Sequence, residues 1–382
     1  MKWKDRLVNN NSLPHPTYVK QCAELLNSFA KERMSALEQY EQLFEDHVWQ
    51  EELKLISSHE NLEFILKECS KKTVTFDNVQ TSIPYYASSR DWMGLLIDAL
   101  FTELKIIHID DKQKNSVLKL QAYLQEDNLK KIIIIVPENQ NLTLIINENN
   151  SLSNLFQSVT IIAQRNTRVN IVHTPCAPLA SSYYNYMLHL FEDAQVCFGL
   201  TNGKSDYERM MIETFLHEQG GHCVIAGFYE IAHEQRSILL TNNVHRAGNS
   251  TSFVRLHGIV RDDAVALYRG LIDIENKNNG VLAEQYNKNM LLSKNARAIS
   301  LPLLQVKTHQ VKCAHGSAIG KLDDEQLFYL QARAINHKCA QQLLLCAFLR
   351  DSLTALNKEV GNELEKRVQD NVQTSFSHLS DK

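Results

Sequence analysis

The chain is expected to fold as a mainly β body held between helical ends. Eleven of its thirteen glycines lie between Gly199 and Gly320, apolar residues alternate with polar ones from about 130 to 312, and three-and-four spacing marks both flanks. Period two belongs to a strand with two unlike faces, and period 3.6 to an amphipathic helix.

Along the chain, Val19, Cys22, Leu26 and Phe29, then Leu37, Tyr40, Phe44 and Val48, carry the helical spacing. Residues 1 to about 95 are therefore expected to be mostly helical, as a hairpin, within an amino-terminal region of 1–115. The β body is assigned to 116–316. Val169 and Ile171 alternate with Arg168 and Asn170; Val254, Leu256 and Val260 alternate with Arg255 and His257; Ala264, Ala266, Tyr268, Ile272 and Ile274 share a face. Strands near 223–230, 237–244, 252–260 and 264–274 follow one another with Gly, Asn or Asp between them, a pattern shared by sandwiches, barrels and β-helices. Spacing alone does not separate these three.

Residues 317–382 form the helical end. Asp323 or Asp324 suits an N-cap, and Leu327, Leu330 and Ala334 form a stripe. A second helix is expected from about Lys338 to Val368, with Leu343, Leu344, Phe348, Leu356, Val360, Leu364 and Val368 available for burial. The tail from about 370 is polar and expected to fray.

With 44% apolar and 22% charged residues over 382 positions, the composition is that of an ordinary globular protein. A net charge of -4 argues against non-specific nucleic-acid binding. Met1 to Arg6 is charged and no apolar region follows, and Ile132–Val136 is too short to span a bilayer, so a cytoplasmic location without membrane attachment is expected. Eight cysteines without a C-x-x-C pair indicate neither a disulfide framework nor a zinc ribbon.

Several local motifs fail on spacing. His217 and His222 are five apart with Gly220 and Gly221 between them, whereas a zinc protease helix needs i and i+4, so a turn between strands is the simpler reading. Glu230–His233 reads as a strand end and turn. Gly203-Lys204-Ser205 lacks the glycine five residues earlier that a phosphate loop requires, because Phe198 stands there. No nucleotide site of the chain's own is expected. His315-Gly316-Ser317-Ala318-Ile319-Gly320 is not a hydrolase elbow.

Val311-Lys312-Cys313-Ala314-His315-Gly316 is different. On a strand, residues i and i+2 share a side, so Cys313 and His315 can offer a sulfur and an imidazole nitrogen to one point, both suited to thiophilic metals. Taken alone, the pair reads more simply as a buried thiol beside a surface imidazole. It is expected to end a strand, with a turn and the acidic helix start beyond it.

The V-K-C-x-H-G segment, followed by Asp323-Asp324-Glu325-Gln326-Leu327-Phe328-Tyr329 and preceded by Ser293–Ala298 and Val265–Gly270, resembles the carboxy-terminal half of the SufB/SufD family of iron-sulfur cluster assembly proteins. The likeness runs from about 220 to 350. It is closer to SufD than to SufB, since Tyr286–Met290 has no cysteine and none occurs between Cys223 and Cys313. The resemblance implies a right-handed parallel β-helix between helical domains. It also implies a non-catalytic scaffold that pairs with a SufB-like subunit through its last strands and docks the ATPase SufC through its carboxy-terminal helices, with a role in iron delivery. An iron-sulfur cluster would be held transiently and shared with the partner, His315 and Cys313 would be the metal-facing residues, and Asp324, Glu325, Gln326, Phe328 and Tyr329 would adjoin SufC. A homodimer in the absence of partners stays open.

The competing reading is a carbohydrate-active β-helix enzyme, a lyase or hydrolase, using carboxylates such as Asp262, Asp263 and Asp273. These three are expected at solvated turn and strand positions. A third reading is an interaction protein with no metal role, in which His315 would be dispensable.

Overall fold

A computed structural model describes residues 75–77, 103–109, 114–120, 129–146, 154–175 and 179–377. In chain order its strands are β1 (Thr75–Asp77), β2 (Glu103–His108), β3 (Asn115–Lys119), β4 (Leu129–Val136), β5 (Asn141–Ile146), β6 (Asn154–Ala163), β7 (Arg168–His173), β8 (Ser181–Leu190) and β9 (Gln195–Thr201). They continue as β10 (Tyr207–Leu216), β11 (His222–Ile231), β12 (Arg236–His245), β13 (Thr251–Val260), β14 (Val265–Ile274), β15 (Leu282–Leu291), β16 (Arg297–Val306) and β17 (Lys312–Lys321). Helices α1 (Asp324–Ala332), α2 (His337–Leu353) and α3 (Lys358–Ser377) follow.

Successive strands after β1 alternate between two sheets, of order β1-β2-β4-β6-β8-β10-β12-β14-β16 and β17-β15-β13-β11-β9-β7-β5-β3. All pairings among the described strands are parallel. A chain that returns to the same sheet one layer up at each turn is a β-helix, which settles the choice that spacing left open. Sandwiches and barrels of the expected kind would need antiparallel neighbours.

Stacking in register turns each inward position into a column. Leu144, Ile171, Phe198, Ile225 and Val254 form one such column, all buried in the central core. A fully buried aliphatic or aromatic side chain of this kind contributes about 1.5–3 kcal/mol relative to exposure. One corner is repeated by Asn139, Asn166, Asp193, Gly220 and Asn249, all with positive φ. Asn and Asp tolerate the left-handed region that the corner demands, and glycine enters it freely. Asn166 donates its side-chain amide to Asn139 Oδ1 at 2.7 Å, stitching one turn to the next.

The outer face of the β3–β17 sheet is covered by helices. Leu345, Leu349 and Leu353 of α2 and Val360, Leu364 and Val368 of α3 pack on Val172, Cys197, Val224, Ala226, Phe228 and Ile259. This cover hides positions that looked solvent-facing: Asn170 and His257 are buried. Asn170 is held by the side chains of Glu359 and Asn357.

Several expectations need correction. The expected amino-terminal helices lie outside the described residues, but strands β1 and β2 fall before residue 115. The single helix from Lys338 to Val368 is two, because Thr354–Asn357 form a break after which Asn357 Oδ1 caps Val360 N at 3.0 Å. Leu343, expected to be buried, is 51% exposed. Ala334 leaves the stripe because α1 stops at Ala332, and Ala334 adopts φ 61 while Ile335 N donates back to Leu330 O. Asp323, of the two candidates, is the N-cap, accepting from Glu325 N at 2.9 Å and Gln326 N at 3.3 Å. Among the described residues no helix is long and apolar enough to cross a membrane.

Candidate metal-facing site at the open end of the β-helix

Among the described residues β16 and β17 are the last strands of their sheets, and no further described turn stacks on them. Proline cannot donate to a ladder and is confined to edges, which accounts for Pro302 in β16. Interior columns that are buried elsewhere reach the surface here. His315 continues the column of Val254 and Gln285, and Cys313 continues that of Ser252 and Ala283. Both donors therefore share the inner face of the terminal strand, with Ser317 and Ile319 beyond them on the same face. Successive strand residues rise about 3.3 Å each, so two positions place the donors about 7 Å apart along the backbone.

The strand does not end at this pair. β17 runs on to Lys321, so Cys313 and His315 lie near its start, and the expected turn after them is replaced by extended chain. Cys313 is half-buried, packed with Val311 against Ile272, Ile274, Val281 and Ala283. Burial pushes its thiol up, partly opposed by a hydrogen bond with the Ala283 backbone. His315 is exposed. Opposite them β16 exposes Leu304 and Val306 on its inner side and Leu301 and Leu303 on its outer side. Among the described residues, a thiol and an imidazole thus sit at an exposed rim beside apolar side chains.

A thiol and an imidazole are both ligand types that iron accepts. An iron-sulfur cluster is commonly held by four thiolates, and this rim offers one thiol and one imidazole. Among the described residues no three His, Cys, Asp or Glu side chains converge as a metal group.

Below this rim, Gln285 is fully buried and spans the lumen, donating from Nε2 to Gly270 O at 3.2 Å and Leu303 O at 3.1 Å. Sequence reasoning missed this strut, together with Ser317 and the leucine and valine rim. Alternation along β16 and β17 was the available signal, since it puts all of them on the faces that a missing next turn would have covered.

Asp324, Glu325, Gln326, Phe328 and Tyr329 are all exposed on α1, which Leu327 anchors. Phe328 is 72% and Tyr329 57% exposed, and the Arg333 guanidinium lies 5.0 Å over the Tyr329 ring. The carboxylates of the enzyme reading do not converge. Asp262 turns a corner with φ 58 beside His233 and Arg261, Asp263 accepts from Asn295, and Asp273, expected to be solvated, is buried within 3.9 Å of Lys307. His217 directly follows β10 ahead of a turn, in line with the turn reading, and meets His189 at 2.9 Å.

Comparison with known proteins agrees with this architecture. Residues 121–348 match the family model for the SufBD core domain of the SUF system of FeS cluster assembly. The chain is 38% identical over 101 residues to the iron-sulfur cluster assembly protein SufD of Escherichia coli, covering 26% of this chain and 24% of that protein. It is 28% identical over 140 residues to SufD of Bacillus subtilis, covering 35% and 32%. It is 30% identical over 145 residues to a chloroplastic SufBD family protein of Arabidopsis thaliana, covering 37% and 26%. The matched stretches thus span about a quarter to a third of those relatives. The chain belongs to the SufBD family.

Proposed function

We propose that this SufBD-family chain is a SufD-like, non-catalytic scaffold subunit for iron-sulfur cluster assembly. Its open end would pair with a SufB-like subunit, whose donors complete the half-site of Cys313 and His315. The observation that supports this most is the placement of both donors on interior columns that stop at an uncovered rim. Iron or a nascent cluster is the cargo, held transiently between the two chains. Helix α1 would dock a SufC-like ATPase through Phe328 and Tyr329, with Asp324, Glu325 and Gln326 around them, since exposed aromatics beside charged groups suit a partner surface. ATP hydrolysis belongs to that partner.

The test is co-expression with SufB-like and SufC-like subunits, anaerobic purification, and iron and sulfide analysis of the complex. A stable three-component complex whose iron and sulfide fall in the His315→Ala variant is the expected result. A partner-free pool of the chain, or full iron and sulfide in the variant, overturns the reading. Turnover of acidic glycans by the isolated chain would favour the enzyme instead.

A further inference from the structure

The outer face of β13 carries one histidine under α2 whose two ring nitrogens have unequal surroundings. His257 Nδ1 lies 2.6 Å from the backbone oxygen of Phe348, and its ring stacks on the Phe348 ring at 4.6 Å. A carbonyl only accepts, so Nδ1 carries the proton and a neutral ring leaves Nε2 with a lone pair. Among the described residues Nε2 is buried without a hydrogen-bond partner, 3.6 Å from Asp351 Oδ2.

We propose that His257 is an acid-released latch, fastening α2 to the β-helix while its ring is neutral and letting that helix go when Nε2 takes a proton. The side chain is 0% exposed, so a charged ring would be formed out of water. Among the described residues the carboxylate facing it is Asp351, already engaged by Lys288 Nζ at 3.1 Å. Arg255, on the same strand, donates to Thr354 Oγ1 at 2.8 Å at the end of α2. Its register neighbour on β11 is the apolar Phe228, and its neighbour on β15 is Lys288. Protonation therefore adds a third cation around one carboxylate. Burial holds the His257 imidazole below its ordinary range, the Phe348 carbonyl and Asp351 oppose that, and Lys288 and Arg255 reinforce it. A group depressed in the docked state lends its stability above the ordinary histidine value and loses it as pH falls below that value.

Helix α1, with its exposed aromatic pair, joins α2 through residues 333–336, so the latch also sets where that pair sits. The device stands whether or not α1 binds an ATPase.

Hydrogen exchange of amides 345–353 in the full chain, corrected for intrinsic rates, tests it. Between about pH 7.5 and about pH 5.5 protection should fall by up to about tenfold, because a released histidine of pKa ~6.5 is about 90% protonated at the lower value. His257→Phe keeps the ring stack and cannot take a proton, so its protection should fall clearly less than that of the wild type, by no more than the other buried histidines impose on the whole fold. Lys288→Met should shrink the fall and Asp351→Asn should enlarge it. A flat wild-type profile, a His257→Phe profile that falls like the wild type, or equal falls in the Lys288 and Asp351 variants would overturn the latch. The last pair decides the matter if His257→Phe does not fold.

Discussion

Gln285 and His315 occupy adjacent turns of one inward-facing column, yet the glutamine is 0% exposed and the histidine is open to solvent. The same column changes from core to surface across one strand spacing, about 4.8 Å. Substitutions at the two positions should therefore separate stability from function.

His315→Ala is expected to leave chain stability within about 0.5 kcal/mol, as for an exposed residue, while lowering cluster formation in the reconstituted complex. Gln285→Ala should cost about 2–4 kcal/mol by opening a cavity and removing two buried hydrogen bonds. Urea denaturation of each variant, alongside iron and sulfide counts in the complex, checks the contrast. Equal destabilisation by both would contradict it.

Phe328→Ala and Tyr329→Ala should leave the melting of the isolated chain unchanged, because neither ring is buried. If α1 is the ATPase-docking surface, affinity for the SufC-like subunit should drop by about thirtyfold, the effect of losing about 2 kcal/mol at an aromatic hot spot. Isothermal titration with the purified partner reads it out.

Gly199→Ala is expected to lift α3 from the sheet. An added Cβ would lie 2.3 Å from Val360 Cγ1 and 3.1 Å from Leu364 Cδ1. Overpacking of that kind costs about 1–3 kcal/mol. Combining it with Val360→Ala should recover part of the loss, a positive coupling that a double-mutant cycle of urea midpoints would reveal.

Acid should destabilise the fold before carboxylates protonate. Burial lowers His173 from 6.5 to about 3 and His245 from 6.5 to about 4, and burial with help from Arg246 lowers His217 to about 4. Depressed histidines contribute stability above 6.5 that is lost progressively as pH falls toward those values. Glu208 acts with the opposite sign. Burial raises it from 4.5 to about 7 despite the bonds from Gly203 and Ser182, so its contribution is full below 4.5 and lost as pH rises through 7. Glu208→Gln should therefore be more stable than the wild type above neutrality, and urea midpoints measured across the range would show the two profiles converging in acid.

The chain by itself determined a great deal. Alternation fixed the strands from β11 to β14 nearly to the residue, Asp323 marked the start of α1, and the C-x-H segment with the acidic helix after it identified the family. These are local signals, written by neighbours a few residues apart. Tertiary structure decided the rest, because a β-helix pairs residues about 29 positions apart, as Glu213 and Asn242 are. No local period carries that register. Stacking made the columns, chose inside from outside for Cys313 and His315, and left them at a rim because no further turn stacks on β17 among the described residues. Helices α2 and α3, packed on a face that alternation alone marks as solvent-exposed, buried Asn170 and His257. Alternation tells only that two faces differ, and what covers each face is settled by packing.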